Sequence, residues 1–342
     1  MNRSGFVNWN MGALLLLLTA CAAEFSETSN AEMKPLTFSL VEATAEVGQA
    51  ATRANQVIET AGAQMGVFLK KSVPDYPADI INRPYVYQSS SGWQPVGGDA
   101  NTIWLKSSMA SMVACYPYSA SLSLVAGQVG VVNLTAAERN AVTPQDLWYK
   151  PFSANHGTGD LSLTLLQAYC RLRVIFVLAD GYTVEPYLYR LAISGGRSNG
   201  TSTTDGIFAD ATLNLFAEGA YTRGTRDYTP LDVNASASAR LVKKTEADTQ
   251  AQFDLLMIPA ALTDKVSLST IVGGTNYGTD TKPMPLDIPA SAFGNGTPDQ
   301  GKLVAGNVYT LKVTVNSKAL NFTKVDAQPW EDATVSGSFD VE

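Results

Sequence analysis

The chain has 342 residues, 45% of them hydrophobic, and carries 31 acidic against 24 basic side chains for a net charge of −7. This is length enough for two ordinary domains with real cores, and the apolar content is that of a globular protein rather than a disordered one. The acidic balance, with no Lys/Arg cluster interleaved with aromatics, argues against a phosphate-tracking surface, so nucleic acid is not an expected partner.

The N-terminus opens with Arg3 and an apolar run, Met11 to Leu18, too short to span a bilayer but suited to a signal-peptide core. It ends in Leu18-Thr19-Ala20-Cys21, which is similar to the lipobox of bacterial lipoproteins, so Cys21 is expected to carry a lipid. Residues 22 to 35, AAEFSETSNAEMKP, are small and polar, as a tether should be. Leu36, Phe38 and Leu40 then alternate with Thr37 and Ser39, the pattern of a half-buried strand. A small-residue run follows, ending at Arg53-Ala54, where a protease could reach it. A helix is a rival for Glu42 to Gln56, but its apolar positions form no stripe and Gly48 interrupts it, which favours a flexible segment.

Short strands separated by turn residues come next: Met65 to Lys70, Tyr85 to Gln88, Thr102 to Leu105 and Ser111 to Tyr116. Thr135-Ala136-Ala137-Glu138 predicts a capping box opening a short helix, and Thr143 with Asp146 is a second capping-type signal before Leu147-Trp148-Tyr149. The polar stretch Pro151 to Asp160 is the expected domain boundary. It holds the one histidine, His156, which reads as a loop residue and whose isolation removes most Ser–His, Cys–His and His-rich metal schemes. Beyond it lie longer apolar strands: Leu161 to Leu166, Arg171 to Leu178, Val184 to Ile193, Asp210 to Phe216, Gln252 to Pro259, Lys265 to Ile271, Val308 to Val315 and Leu320 to Val325. Cys115 and Cys170 sit in such strands and read as buried thiols, a disulfide being the alternative. In Thr334 to Glu342, Val335, Gly337, Phe339 and Val341 alternate with polar residues up to the last residue. Many short strands with almost no helical period predict an all-β chain of antiparallel sandwiches.

With these segments in order the chain resembles the fimbrillin family, the type V pilins of Bacteroidales. The likeness runs from Cys21 to the end, through Met65-Gly66-Val67-Phe68, the pair Trp93 and Trp104, Ala114-Cys115-Tyr116-Pro117-Tyr118, Arg171-Leu172-Arg173-Val174, Leu303 to Val315 and a late Trp330. The three tryptophans are expected in the core. The resemblance implies a surface lipoprotein of two transthyretin-like β-sandwich domains. By its pattern residues 1–20 would be the signal peptide, 21–53 a lipidated propeptide with the first strand, and 54–156 and 157–342 the two sandwiches. It further implies that an arginine-specific protease cuts between Arg53 and Ala54. The strand bearing Leu36, Phe38 and Leu40 then leaves, and a neighbouring subunit donates the strand bearing Val335, Phe339 and Val341. Other fimbrial subunits, that protease and the outer membrane, reached through the lipid on Cys21, are the partners so implied, and the cell outer membrane and fimbrium the location. No enzyme activity, cofactor or metal is expected, since no acidic pair sits in a motif that raises a pKa or presents a nucleophile. The competing reading is a monomeric surface lipoprotein that binds glycans or host proteins through Tyr85, Tyr87 and Trp93.

Overall fold

The computed structural model describes residues 33–44, 56–139, 146–180, 186–198, 203–232, 240–241, 252–273, 283–316 and 320–329. The expected signal peptide, Cys21, Arg53, Ala54, Thr143, Trp330, Val335, Phe339 and Val341 lie outside them. Within the described residues the chain is all-β, and its one α-helix is the four-residue turn Ala136–Arg139, placed where the Thr135 capping pattern puts it.

The first body is one eight-stranded sheet, ordered Gln56–Val57, Phe38–Thr44, Leu161–Gln167, Trp148–Ala154, Ala110–Tyr116, Gln64–Lys70, Ile80–Gln88, Gly92–Pro95. It folds over on itself, so that its inward side chains, among them Phe38, Val41, Met65, Val67, Tyr85, Met112 and Leu165, form one core. Central strands are covered on both faces: Met65, Val67 and Leu69 enter this core, while Phe68 faces the opposite way into a second one. A strand buried on both faces reads as a continuous apolar run, which is why Met65 to Leu69 shows no alternation.

The second body is a sandwich. A four-stranded sheet, Gln252–Met257, Cys170–Leu178, Asn307–Val315, Leu320–Pro329, shares a core with a five-stranded one built on Tyr228–Asp232, Tyr187–Gly195, Val266–Gly273 and Met284–Ile288, with Arg240–Leu241 on the end of Tyr187–Gly195. Cys170–Leu178 and Asn307–Val315 each bury every second residue, as a strand with one face inward must.

Three expectations are corrected. Two pairings are parallel rather than antiparallel, Phe38–Thr44 beside Leu161–Gln167 and Cys170–Leu178 beside Asn307–Val315. A parallel pair needs a long crossover connection, and here each crossover is itself a run of strands. The boundary expected at residue 157 also moves, because Leu161–Gln167 is a member of the first sheet and puts Leu163 and Leu165 into the first core. Finally, Leu147-Trp148-Tyr149 leads into the strand Trp148–Ala154, paired with Ala110–Tyr116 through Pro151 opposite Val113, where sequence signals suggested a helix start and a linker.

A third hydrophobic cluster joins the two bodies, with Phe68, Val113 and Tyr149 from the first, Leu256 and Ile258 from the second, and Val132, Leu134 and Leu213 from a small sheet between them. Arg139 is buried in this region. Its guanidinium donates to the carbonyls of Leu256 (2.5 Å), Phe208 (3.2 Å) and Ala209 and lies 4.3 Å from the Tyr228 ring centroid. Burial lowers its pKa, and the rings and Asp210 around it oppose that shift.

Asp146 enters the same region from the start of the Trp148–Ala154 strand. Its carboxylate accepts from its own neighbour Leu147 N–H and from Gln167 Nε2, both at 2.9 Å. Burial nevertheless pushes the carboxyl up to about 7, against those two donors and the charge of Arg171. The folded state therefore holds this proton more tightly than the unfolded chain does. That contribution is complete below the unfolded value near 3.8 and is lost as pH rises to about 7. Asp146→Asn is expected to flatten urea-denaturation stability across this interval and to be more stable than wild type at about pH 8.

Candidate assembly site at the first strand

The first described segment enters the core through Leu36 and Phe38. Lys34 and Pro35 pair with Leu105 and Trp104, and Leu36 N–H donates to Ile103 O at 2.8 Å. Phe38 packs edge-on against Tyr85 (5.5 Å between centroids) and Phe152 (6.0 Å). The carbonyl of Thr37 accepts from Leu161 N–H at 3.1 Å, the Thr37 hydroxyl donates to Asp160, and Ser39 Oγ donates to Leu161 O at 3.2 Å.

The pairing slips at this point. Leu161 stands opposite Phe38 and Ser162 opposite Leu40, so Ser39 forms a bulge and the inward parity changes. Leu36 and Phe38 point inward before it, Val41 and Ala43 after it, and Leu40 is only half-buried. The expected trio Leu36, Phe38 and Leu40 is thus corrected to Leu36, Phe38, Val41 and Ala43. The trace in the sequence is the adjacent apolar pair Leu40-Val41, where apolar residues at even positions through Leu40 give way to odd positions from Val41.

Phe38–Thr44 lies next to the edge of its sheet. Parallel pairing with Leu161–Gln167 holds one side, and on the other, among the described residues, Val57 and Gln56 pair opposite Glu42 and Ala43 while Ile58 N–H donates to Val41 O at 2.9 Å. The link from Thr44 to Gln56, residues 45–55, contains Arg53 and Ala54. A cavity of about 640 Å³ adjoins the segment, lined by Leu36, Trp93, Pro95, Thr102 and Trp104 among others.

The other residues singled out from sequence fall as follows. Tyr85 and Trp93 are buried, and Tyr87 packs against Trp93 with centroids 5.7 Å apart, so these rings belong to the core rather than to an exposed platform. Trp104, expected in the core, is 42% exposed because its strand is the two-residue partner of Lys34–Pro35 at the rim. Cys115 and Cys170 are free and buried. Burial pushes the Cys115 thiol up to about 12 and raises that of Cys170 as well, which keeps both protonated. His156 sits in a turn, its N–H donating to Lys106 O at 2.8 Å.

No protein-family model and no curated protein matches the sequence. Solved structures do. A candidate cell adhesion protein from Bacteroides ovatus is similar with a TM-score of 0.50 at 13% identity, over 87% of this chain and 98% of that one. Another from Bacteroides uniformis gives 0.49 at 16% identity, over 85% and 97%. The tip fimbrial protein Mfa3 from Porphyromonas gingivalis, with a C-terminal truncation, gives 0.39 at 9% identity, over 85% and 99%.

If the bulge sets which side chains fill the core, Phe38→Ala should lower stability by about 3–5 kcal/mol and Leu40→Ala by less than about 1 kcal/mol in urea denaturation. A Leu40→Ala loss as large as that of Phe38→Ala would restore the unbulged register. The fold is thus the one seen in the Bacteroides ovatus protein, consistent with the fimbrillin resemblance of the sequence.

Proposed function

We propose that the chain is a structural subunit of a surface fimbria that supports cell adhesion, exported as a lipoprotein through Cys21, cut between Arg53 and Ala54 and polymerised by donor-strand exchange. The observation that carries this reading is the setting of Phe38–Thr44: a core-filling strand, near a sheet edge, tied to the rest of the chain through residues 45–55 alone.

A cut in that link removes the covalent tie, leaving the segment held by side-chain burial and by its hydrogen bonds. Its departure would expose the sites of Leu36, Phe38 and Val41, at roughly 1.5–3 kcal/mol each as an upper estimate. The sum rivals the whole stability of an ordinary domain, about 5–15 kcal/mol, so an emptied groove favours capture of another strand. The C-terminal segment, with Val335, Phe339 and Val341 on one face, is the proposed donor from a second subunit. Groove and donor are different surfaces, so the contact is head-to-tail and propagates. A shaft or tip position suits such a subunit better than an anchor, which would keep its lipid and need no cut. Fimbrial and adhesion proteins among the fold neighbours support the same direction. The competing reading of a monomeric glycan binder loses its platform, since Tyr85 and Trp93 are buried.

Treating soluble Cys21→Ser precursor with an arginine-specific protease should yield a new N-terminus at Ala54 and, at high protein concentration, oligomers visible by light scattering. Arg53→Ala should stay intact and monomeric, and removal of residues 334–342 should permit cutting but abolish assembly. A correctly cut, full-length protein that remains monomeric would defeat the assembly proposal.

A further inference from the structure

A second cavity, of about 430 Å³, opens where the two bodies meet. Tyr149 and Gln167 line it from the first sheet, Tyr221 and Arg223 from the small intervening sheet, and Lys302 and Leu303 from a two-stranded ladder with Ala260–Ala261. Its volume is that of a small-ligand site, and the boundary between domains is a common place for one.

The charges in this cleft run against those of the chain. Arg223 has no carboxylate partner among the described residues. Its Nε and Nη2 both donate to one acceptor, the Pro259 carbonyl, at 3.1 and 2.6 Å, leaving Nη1 uncommitted. The guanidinium is fixed in place between the Phe208 ring, 5.8 Å away, and the Tyr221 ring, 5.9 Å away. Burial already lowers its pKa, so an anion beside it would relieve an uncompensated charge. Lys302 adds a second cation, whose Nζ donates at 3.4 Å to both Asp299 and the Pro298 carbonyl. The one carboxylate in the lining, Glu218, is taken by Lys150 at 2.5 Å. In a protein of net charge −7, two cations on one concave wall form a local positive field.

The remaining groups suit a sugar ring. Tyr221, half-buried, offers an aromatic face with its hydroxyl engaged, donating to Ala168 O at 2.7 Å, while the buried Tyr149 accepts from Gly219 N–H at 2.9 Å through its hydroxyl oxygen. Gln167 is 3% exposed, and its Oε1 is buried with no partner, an acceptor available to a ligand hydroxyl.

We propose that this cleft binds a carboxylated monosaccharide unit, with the carboxylate on Arg223 and Lys302 and the ring against Tyr221. An uncut monomer contains the whole cleft, so this proposal stands or falls separately from strand exchange. Soluble Cys21→Ser precursor is titrated calorimetrically with glucuronate and N-acetylneuraminate, with galactose and acetate as controls. At least one acidic sugar should bind about tenfold or more tightly than either control, because the controls lack the charge or the ring. Arg223→Lys, which loses the planar fork, should weaken that sugar about tenfold, and the more exposed Lys302→Met should weaken it severalfold with thermal stability unchanged. No measurable binding, galactose equal to the acidic sugars, acetate equal to them, or full affinity in both folded variants would each overturn the assignment.

Discussion

Leu36, Phe38, Val41 and Ala43 fill part of the first core, and all four come from one short segment near the edge of the sheet. The rest of the first body is arranged around that segment. Tyr85 and Phe152 present their edges to Phe38, Ile103 accepts the Leu36 N–H, and Leu161–Gln167 offers the free side of a strand for parallel pairing. A sheet that has folded over on itself cannot close the gap left by a missing strand without repacking every layer, since close-packed interiors deform in discrete steps. The site of the first segment is therefore a groove with a fixed shape rather than a patch that would collapse.

What fixes that shape is the seam to the second body. The Gln64–Lys70 and Ala110–Tyr116 strands are buried on both faces, so the side of the sheet opposite the groove is held by Val132, Leu134, Leu256 and Ile258. Arg139 fastens the same region by a different physical means. A buried guanidinium whose Nη1 and Nη2 donate to three carbonyl oxygens from two separate segments cannot slide without leaving further donors and acceptors unpaired, each at roughly 1–3 kcal/mol. Apolar packing supplies the attraction across the seam and Arg139 its register. The cleft lined by Arg223 and Lys302 lies on this boundary, where two hydrogen bonds to the Pro259 carbonyl pre-order the Arg223 guanidinium.

Much of this was legible in the chain wherever one face of a strand is buried. Cys170–Leu178 and Asn307–Val315 alternate without a break, and their limits follow from residue pattern alone. Trp148–Ala154 escaped because Lys150 and Pro151 interrupt the alternation in a strand that is nonetheless paired along its length. Pairing partners escaped for a more general reason: period two says which residues point inward and nothing about which strand lies alongside, so both parallel neighbours were invisible. The half-exposed Leu40 followed from treating the strand as regular, when the change of parity between Phe38 and Val41 marks a bulge. Arg223 and Lys302 had no local signature, since topology alone brings them to one wall.

The bulge also bears on why one strand would give way to another in the proposed exchange. At Ser39 the resident segment interrupts its ladder with Leu161–Gln167, and a bulge leaves one residue of the strand unpaired. The inward positions of the resident are therefore unevenly spaced, Leu36 and Phe38 and then Val41 and Ala43, with a small alanine at the end. The proposed donor spaces Val335, Gly337, Phe339 and Val341 evenly and places branched or aromatic side chains at three of the four. A regular strand would complete hydrogen bonds that a bulged one forgoes, while the two sets of apolar side chains are of similar total size, Gly337 of the donor offsetting its Phe339. While the link through residues 45–55 is intact, the resident wins because its effective concentration is intramolecular. With that link cut, the comparison would be between two separate strands, and one that paired without a bulge would have the advantage in hydrogen bonds. In the proposed exchange, the imperfect fit of the first strand would be the feature that lets a tether decide when it is replaced.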